Sequence, residues 1–431
     1  MKKLSLLSTI IGTCLLTQAQ TIGNSPYAVY GIGDEKYDNT IDIGAMGGIS
    51  TAYVNDLNNK FNFANSAANQ NFGLTSFSIE GTNENNFLRT NYQNNSLAKK
   101  SVYLSNVSLA FPLSKSMKFG VRFQPYSSKM YTIVTKDQID ENTTSINRFM
   151  GKGSISIVQG ALSFKINEDI SLGLRSNTYF GRISDTEELS YSSADLVNGY
   201  ENSTKILAYN FTAGGIYQRK LSKDKKLTLG GTYTFGNLGT VTTQYTNSTY
   251  YYIGDGTKKS QTILDSKEYG GKGYFPMEAS VGVGYGKDLH WFLSTQFDYK
   301  KGETIWFLSK PFQYQDAYKF SFGGWILPSV NNFRNYFSRV VYRYGVYYQK
   351  GSLRIIPKGS TSPSLVNEFA ITGGASLPFA NANINKLSYL DLGIEIGQRG
   401  SLQNNLVRQT FVNLKVGINF ADLWFRKVQY D

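Results

Sequence analysis

Residues 411–420 read Phe-Val-Asn-Leu-Lys-Val-Gly-Ile-Asn-Phe, and the alternation in that stretch limits the chain more than any other feature. Val412, Leu414, Val416, Ile418 and Phe420 share one face, while Phe411, Asn413, Lys415, Gly417 and Asn419 share the other. Successive side chains of a strand point to opposite sides, so this segment has one apolar face and one polar face. About ten residues of tilted strand cross the apolar band of an outer membrane. A chain that repeats the pattern can close into a barrel with its apolar faces outward.

The pattern does repeat. Strands are expected over residues 72–80, 102–113, 118–125, 154–166, 170–182, 205–219, 227–237, 278–285, 290–299, 318–327, 339–349, 365–377, 386–398 and 411–420. That is roughly fourteen, the even number a bacterial single-chain barrel needs. Residues 290–299, 339–349 and 386–398 divide as cleanly as the last strand. Val340, Tyr342, Tyr344, Val346 and Tyr348 oppose Arg339, Arg343, Gly345 and Gln349, and Leu390, Leu392, Ile394 and Ile396 oppose Asp391, Glu395 and Arg399. A charge facing lipid at the midplane costs a few kcal/mol, so Arg339, Arg343, Asp391, Glu395 and Arg399 are expected in the lumen, where opposite charges can pair. Short turns alternate with long polar connections (81–100, 127–152, 184–204, 239–273, 301–315), which places the short turns and both ends of the barrel on the periplasmic side.

A soluble sandwich would alternate equally well, with its apolar faces inward. The start of the chain argues for the barrel. Lys2 and Lys3 precede an apolar run and Thr17-Gln18-Ala19, which reads as a secretory signal peptide over residues 1–19. A retained anchor needs a longer run, and a lipoprotein anchored at Cys14 needs a small residue before the cysteine, where Thr13 stands. Cys14 is the only cysteine, so the mature chain is expected to hold no disulfide. With 31 Tyr, 27 Phe and 42 Gly against 9 Pro, the composition suits sheets and the aromatic girdles of a membrane barrel. The net charge of +13 favours anionic partners such as lipopolysaccharide, and no helix, finger or compact basic cluster supports nucleic acid.

Residues 20–70 do not alternate. Their Gly/Ala-rich middle, Gly44-Ala-Met-Gly-Gly-Ile-Ser-Thr-Ala, suits backbone packed closely against another surface. They form either a small terminal cap or a segment tucked into the barrel mouth. Tyr27, Tyr30, Ile32, Met46, Ile49 and Tyr53 could line a ligand path there, or simply pack a plug against the wall. The barrel proper is then residues 71–431.

The Gly/Ala-rich stretch, Asp56, and Asn62-Phe-Ala-Asn-Ser-Ala resemble the opening of the FadL family of outer-membrane barrels, with Phe63 where that family has proline. Phe322-Gly-Gly-Trp-Ile-Leu-Pro328 and Tyr342-Arg-Tyr-Gly-Val-Tyr-Tyr348 are similar to its late strands. The resemblance implies an all-β, fourteen-stranded antiparallel barrel with an N-terminal lumenal hatch, in the outer membrane of a Gram-negative-type bacterium. It implies passage of small hydrophobic molecules over the hatch and out through a kinked wall. Ser25-Pro-Tyr27 and Tyr30-Gly-Ile-Gly-Asp34 look closest to a branch of PorV-like barrels associated with type 9 secretion. That branch implies the alternative, a non-transporting subunit of an outer-membrane secretion or assembly complex. Expected partners are outer-membrane lipid and lipopolysaccharide, a hydrophobic ligand, and machinery proteins.

Catalysis has little to draw on. His290 is the sole histidine, so any triad would have to use it and zinc sites built from several histidines are ruled out. Asp391 and Glu395 share a face and could divide acid and base roles, but ion pairing with Arg343 or Arg399 is the simpler expectation. The glycines of Gly151-Lys-Gly153, Gly254-Asp-Gly256 and Gly271-Lys-Gly273 do not match a phosphate cradle. Neither enzyme activity nor a cofactor is expected.

Overall fold

The computed structural model describes residues 23–36, 40–91, 93–254, 256–307, 310–332, 334–355, 363–379, 386–403 and 406–423. The expected signal peptide and the tail after residue 423 lie outside the described residues. Fourteen antiparallel strands form the barrel: β1 (Thr75–Thr90), β2 (Gln93–Pro112), β3 (Met117–Ser128), β4 (Thr144–Lys165), β5 (Ile170–Tyr191), β6 (Ala194–Lys220) and β7 (Lys225–Thr234). Then come β8 (Glu278–Lys287), β9 (Trp291–Lys300), β10 (Ala317–Ile326), β11 (Val341–Lys350), β12 (Glu368–Pro378), β13 (Lys386–Arg399) and β14 (Arg408–Asp422). Each strand pairs with the next, and β14 closes on β1 with Phe77 opposite Phe420 and Glu80 opposite Gly417. The closing pair is therefore the one expected from residues 411–420.

Alternation sorts the side chains as the membrane demands. On β14, Leu414 and Val416 are exposed on the outer face, while Gly417 and Asn419 are buried inside. On β11, Tyr342, Tyr344, Val346 and Tyr348 face out, and Arg343 and Tyr347 face in. Two positions depart from expectation. Val340 is buried and Arg339 lies in the turn Tyr336–Arg339, because the strand begins only at Val341.

The connections expected to be long polar loops are largely strand. β4 has 22 residues and β6 has 27, about twice what a bilayer requires. Tyr131–Gln138 continues the sheet beside β4, and the hairpin Asn237–Tyr252 with Lys258–Phe275 continues it beside β6. These segments stand above the membrane; Tyr131–Gln138 and residues 258–271 meet water on both faces, while Asn237–Tyr252 buries one face with Val241 and Tyr250. Thr, Tyr, Ser and Asn keep them extended without producing an apolar–polar rhythm.

Residues 23–36 and 40–74 lie within the lumen and run its full height, rather than sitting at the periplasmic mouth. Ser25 Oγ donates to Gln409 at 2.8 Å, and the Tyr27 hydroxyl donates to the Val407 carbonyl, both near the outer ends of β13 and β14. Asp56, by contrast, meets Lys226 at 3.4 Å beside the periplasmic turn before β7. Three apolar clusters fix the segment to the wall. Ile43, Met46, Ile49, Tyr53 and Leu57 pack on Phe292, Trp325, Leu327 and Val341; Phe61, Phe63 and Phe72 pack on Ala110 and Ala161; Ile32 joins Ile155, Ile157 and Tyr179. Each fully buried side chain of this kind contributes about 1.5–3 kcal/mol.

Glycine on the lumenal wall makes room for this backbone. A Cβ at Gly230 of β7 would overlap the Thr51 carbonyl and crowd Ala52 Cα at 3.0 Å. Gly230→Val is therefore expected to lower stability by about 1–3 kcal/mol through overpacking. The shift should appear in heat-modifiable gel mobility, together with earlier proteolysis within residues 44–69.

Candidate lumenal site and wall gap

The wall is incomplete between β2 and β3. The two strands pair only from Val107 opposite Phe123 to Pro112 opposite Lys118. Beyond Phe123, β3 turns inward. Pro125 offers no N–H for a ladder, and the register against β4 breaks between Pro125 and Ser127. Ser127 and Ser128 then pair with Glu35 and Asp34 of the N-terminal segment, and Ser127 Oγ donates to the Ile32 carbonyl at 3.0 Å. Lys129, wholly buried, holds the bend by donating to the Gly31 carbonyl at 3.1 Å and to Asp185 at 2.6 Å. Among the described residues, the 93–106 part of β2 pairs with β1 and with no strand on its other side.

A cavity of about 160 Å³ lies behind the gap, and Tyr103 and Ser105 of β2 and Pro125 of β3 line it from either side. Its inner walls carry Asp34, Glu35, Glu80, Glu84, Glu368 and Glu395 together with Lys36, Arg399 and Lys415. The ions pair closely: Lys36 Nζ is 3.0 Å from Asp34 and 2.9 Å from Glu84, and Lys415 is 2.9 Å from Glu395. A second cavity of about 230 Å³ shares Glu35 and Lys36 with the first. It has an aromatic side of Tyr126, Tyr179, Tyr299 and Tyr318 beside Ile157.

The N-terminal segment is tied to the wall by a buried ion cluster. Lys60 Nζ is 3.1 Å from Asp42 and 3.0 Å from Asp391, and it also bonds Glu80. Glu80 Oε2 accepts from the Ile41 N–H at 3.2 Å, at the start of the short helix Ile41–Gly44. Burial works to lower the Lys60 ammonium, but Asp391, Asp42 and Glu80 outweigh it and hold the group well above the ordinary lysine range.

Two asparagines of the quoted motif, with Asn69 just beyond it, organise the backbone around that cluster. Asn69 Oδ1 accepts from the Asn62 N–H at 2.7 Å, and Asn62 Nδ2 donates to the Ser50 carbonyl at 2.8 Å. Asn65 Nδ2 donates to the Thr51 carbonyl at 2.7 Å. Phe63, the departure from proline, is buried with the Arg122 guanidinium 4.8 Å from its ring centre.

The residues singled out in the sequence fall into different places. Met46, Ile49 and Tyr53 are packed into the core between the segment and β9–β11, and line neither of the two larger cavities. Tyr27 is buried with Ile355, Val366 and Leu406, and Tyr30 packs half-buried beside it. Ile32 borders only a small space beside Tyr314. Among the charged residues, the pairings differ from those expected. Asp391 bonds Lys60 and Ser376, Glu395 bonds Lys415, and Arg399 bonds Asp34 with Glu368 at 3.6 Å. Arg343 is buried on Ser376, and Arg339 stacks on Tyr336 in its turn, 5.6 Å from the ring centre.

His290 is exposed in the turn before β9, its Nδ1 2.8 Å from the Asp288 carbonyl oxygen. Sequence reasoning missed Lys60, Glu80, Lys129 and the gap. Pro125 inside a strand was the available signal for the last of these.

Comparison with known proteins adds the following. A family model described as BamG matches residues 1–431. No curated protein sequence matches the chain. Among solved structures, a FadL homologue from Pseudomonas aeruginosa is similar at 12% identity with a TM-score of 0.59, covering 90% of this chain and 99% of that one. The toluene transporter TodX from P. putida aligns at 14% identity and TM-score 0.56, over 90% and 99% of the two chains. The toluene transporter TbuX from Ralstonia pickettii aligns at 12% and 0.55, over 89% and 98%. At these identities the likeness is one of fold.

Proposed function

We infer a function from the premise that this chain belongs to the BamG family and folds as a FadL-like outer-membrane β-barrel. The barrel passes small hydrophobic molecules across the outer membrane. The observation that carries this reading is the gap beside Pro125, with a cavity directly behind it. A ligand leaving the lumen there reaches the bilayer without crossing the polar headgroups. The aromatic side of the second cavity suits the apolar part of such a ligand, and the charged walls between suit an amphipathic one. The fold shared with proteins named as toluene transporters supports the same class. Residues 20–70 act as the hatch. In this state Tyr27, Tyr30, Ile32, Met46, Ile49 and Tyr53 pack the way shut, and passage requires them to loosen. No catalytic step is part of this role.

Narrowing the gap tests the reading. Ser105→Trp places a large ring at the mouth and is expected to cut uptake of a labelled monoaromatic hydrocarbon by about tenfold, as a steric block of a shaped site should. Uptake equal to wild type would sink the lateral route.

A second reading rests on a different observation. The lumen is closed by buried ion clusters, and the sheet rises far above the bilayer as a broad wall of strand. A barrel built this way serves as a non-transporting subunit of an outer-membrane secretion or assembly complex, meeting machinery proteins through that wall. The BamG family name agrees with this role. Purification from native membranes in mild detergent separates the readings. Stoichiometric partner proteins favour the subunit role, and a lone barrel with saturable uptake favours transport.

A further inference from the structure

The outer surface of the barrel carries two pairs of cations set directly opposite each other across neighbouring strands. Arg89 of β1 stands opposite Arg408 of β14, and Arg182 of β5 stands opposite Lys205 of β6. Their chain neighbours Leu88, Gln409, Ile183 and Ile206 are buried on the lumenal side, so all four cations belong to the outward face. Like charges in directly opposed positions destabilise a sheet. Among the described residues, no carboxylate lies within ion-pair distance of any of the four.

The other end of the barrel is different. There Lys226 meets Asp56 and Asp288, Lys287 meets Asp224, and Lys165 meets Glu168. Opposed lysines occur there too, Lys225 with Lys287 and Lys220 with Lys226, but one member of each pair meets a carboxylate, which neither outer pair does.

Their height is the second observation. Immediately below Arg89 on the same face is Phe87, and below Arg182 and Lys205 are Phe180, Leu207 and Tyr209, all exposed apolar side chains of the lipid-facing band. The cations therefore lie where the apolar band ends and the headgroups of the outer leaflet begin. A phosphate there would relieve the repulsion within each pair. Guanidinium forks suit phosphate through paired charge-assisted hydrogen bonds.

We propose that the Arg89–Arg408 and Arg182–Lys205 pairs are binding sites for the phosphate groups of a phosphorylated glycolipid of the outer leaflet, the lipid A portion of lipopolysaccharide. This does not depend on whether the lumen passes a molecule.

The test uses full-length protein in nanodiscs of neutral phospholipid, titrated with bisphosphorylated lipid A, with dephosphorylated lipid A, or with inorganic phosphate, and read by native mass spectrometry. Bisphosphorylated lipid A is expected to bind about tenfold more tightly than the dephosphorylated form, as charge-assisted contacts require. Arg182→Ser with Lys205→Ser, and separately Arg89→Ser with Arg408→Ser, should each lose a bound glycolipid. Lys223→Ser in a periplasmic turn should lose none. Equal binding of the two glycolipids by the wild-type barrel overturns the proposal, whether or not the variants fold. So does displacement of the glycolipid by inorganic phosphate at equal phosphate concentration, which would mark a free-anion site. Unchanged binding by both folded double variants overturns it as well.

Discussion

Deleting residues 44–69 is expected to raise single-channel conductance in planar bilayers by about tenfold or more, because a fourteen-stranded wall cannot fill its lumen with wall side chains alone. The deleted stretch contains Met46, Ile49, Tyr53, Phe61 and Phe63, the apolar residues that occupy the lumen between β2–β4 and β9–β11. It also contains Lys60, and with it the tie to Glu80 and Asp391. What remains on the wall is a polar lining that includes Glu80, Arg122, Gln159, Asn177, Ser321, Arg343 and Asp391. Water and ions would enter such a lining readily. The barrel itself should survive, since its closing ladder between β1 and β14 involves none of the deleted residues. Heat-modifiable mobility checks that point independently. A folded deletion variant with wild-type conductance would refute the hatch.

The barrel was legible in the sequence wherever the two faces of a strand meet different media. Phe411 to Phe420 separates apolar from polar with Phe411 as the one exception, and the structure keeps the division of faces. Above the membrane both faces meet water, so Tyr131–Gln138 and Lys258–Phe275 carry no rhythm and read as loop. In the lumen the difficulty is another one. Lys60 sits between Asn59 and Phe61, the nearest carboxylate in sequence, Asp56, meets Lys226 instead, and the partners of Lys60 come from three separate places in the chain. Asp391 was identified as lumenal from its strand face, but its partner could not be, because lumenal pairing depends on how a non-repeating segment threads the barrel. The Gly/Ala-rich stretch did signal close backbone packing, and Gly230 shows that the wall supplies matching glycines from distant strands.

Lys60→Met should release the N-terminal segment at neutral pH and restore it on acidification, the reverse of the wild-type response. The substitution removes one ammonium and leaves Asp42, Glu80 and Asp391 facing one another in a dry site. Breaking a buried ion pair from one side costs about 3–5 kcal/mol, enough to raise the protease-accessible population of the segment by roughly a hundredfold or more. In the wild type, burial works to raise the Asp42 carboxyl, but Lys60 and then Arg343 outweigh it and hold the group below the usual carboxylate range. A carboxyl depressed in this way contributes stability above its unfolded pKa and loses it as pH falls through the folded value. Lys60, raised well above the lysine range, contributes fully below its unfolded pKa and loses that contribution only as pH rises through the raised value. Wild-type docking should therefore hold through neutral pH and weaken in acid. Without the ammonium, burial disfavours the carboxylates, so protonation becomes the favourable route to docking and acid strengthens it. Protease cleavage within residues 44–69, followed from pH 7 downward, reads both responses; a variant that follows the wild-type direction would show that Lys60 does not hold the segment in place.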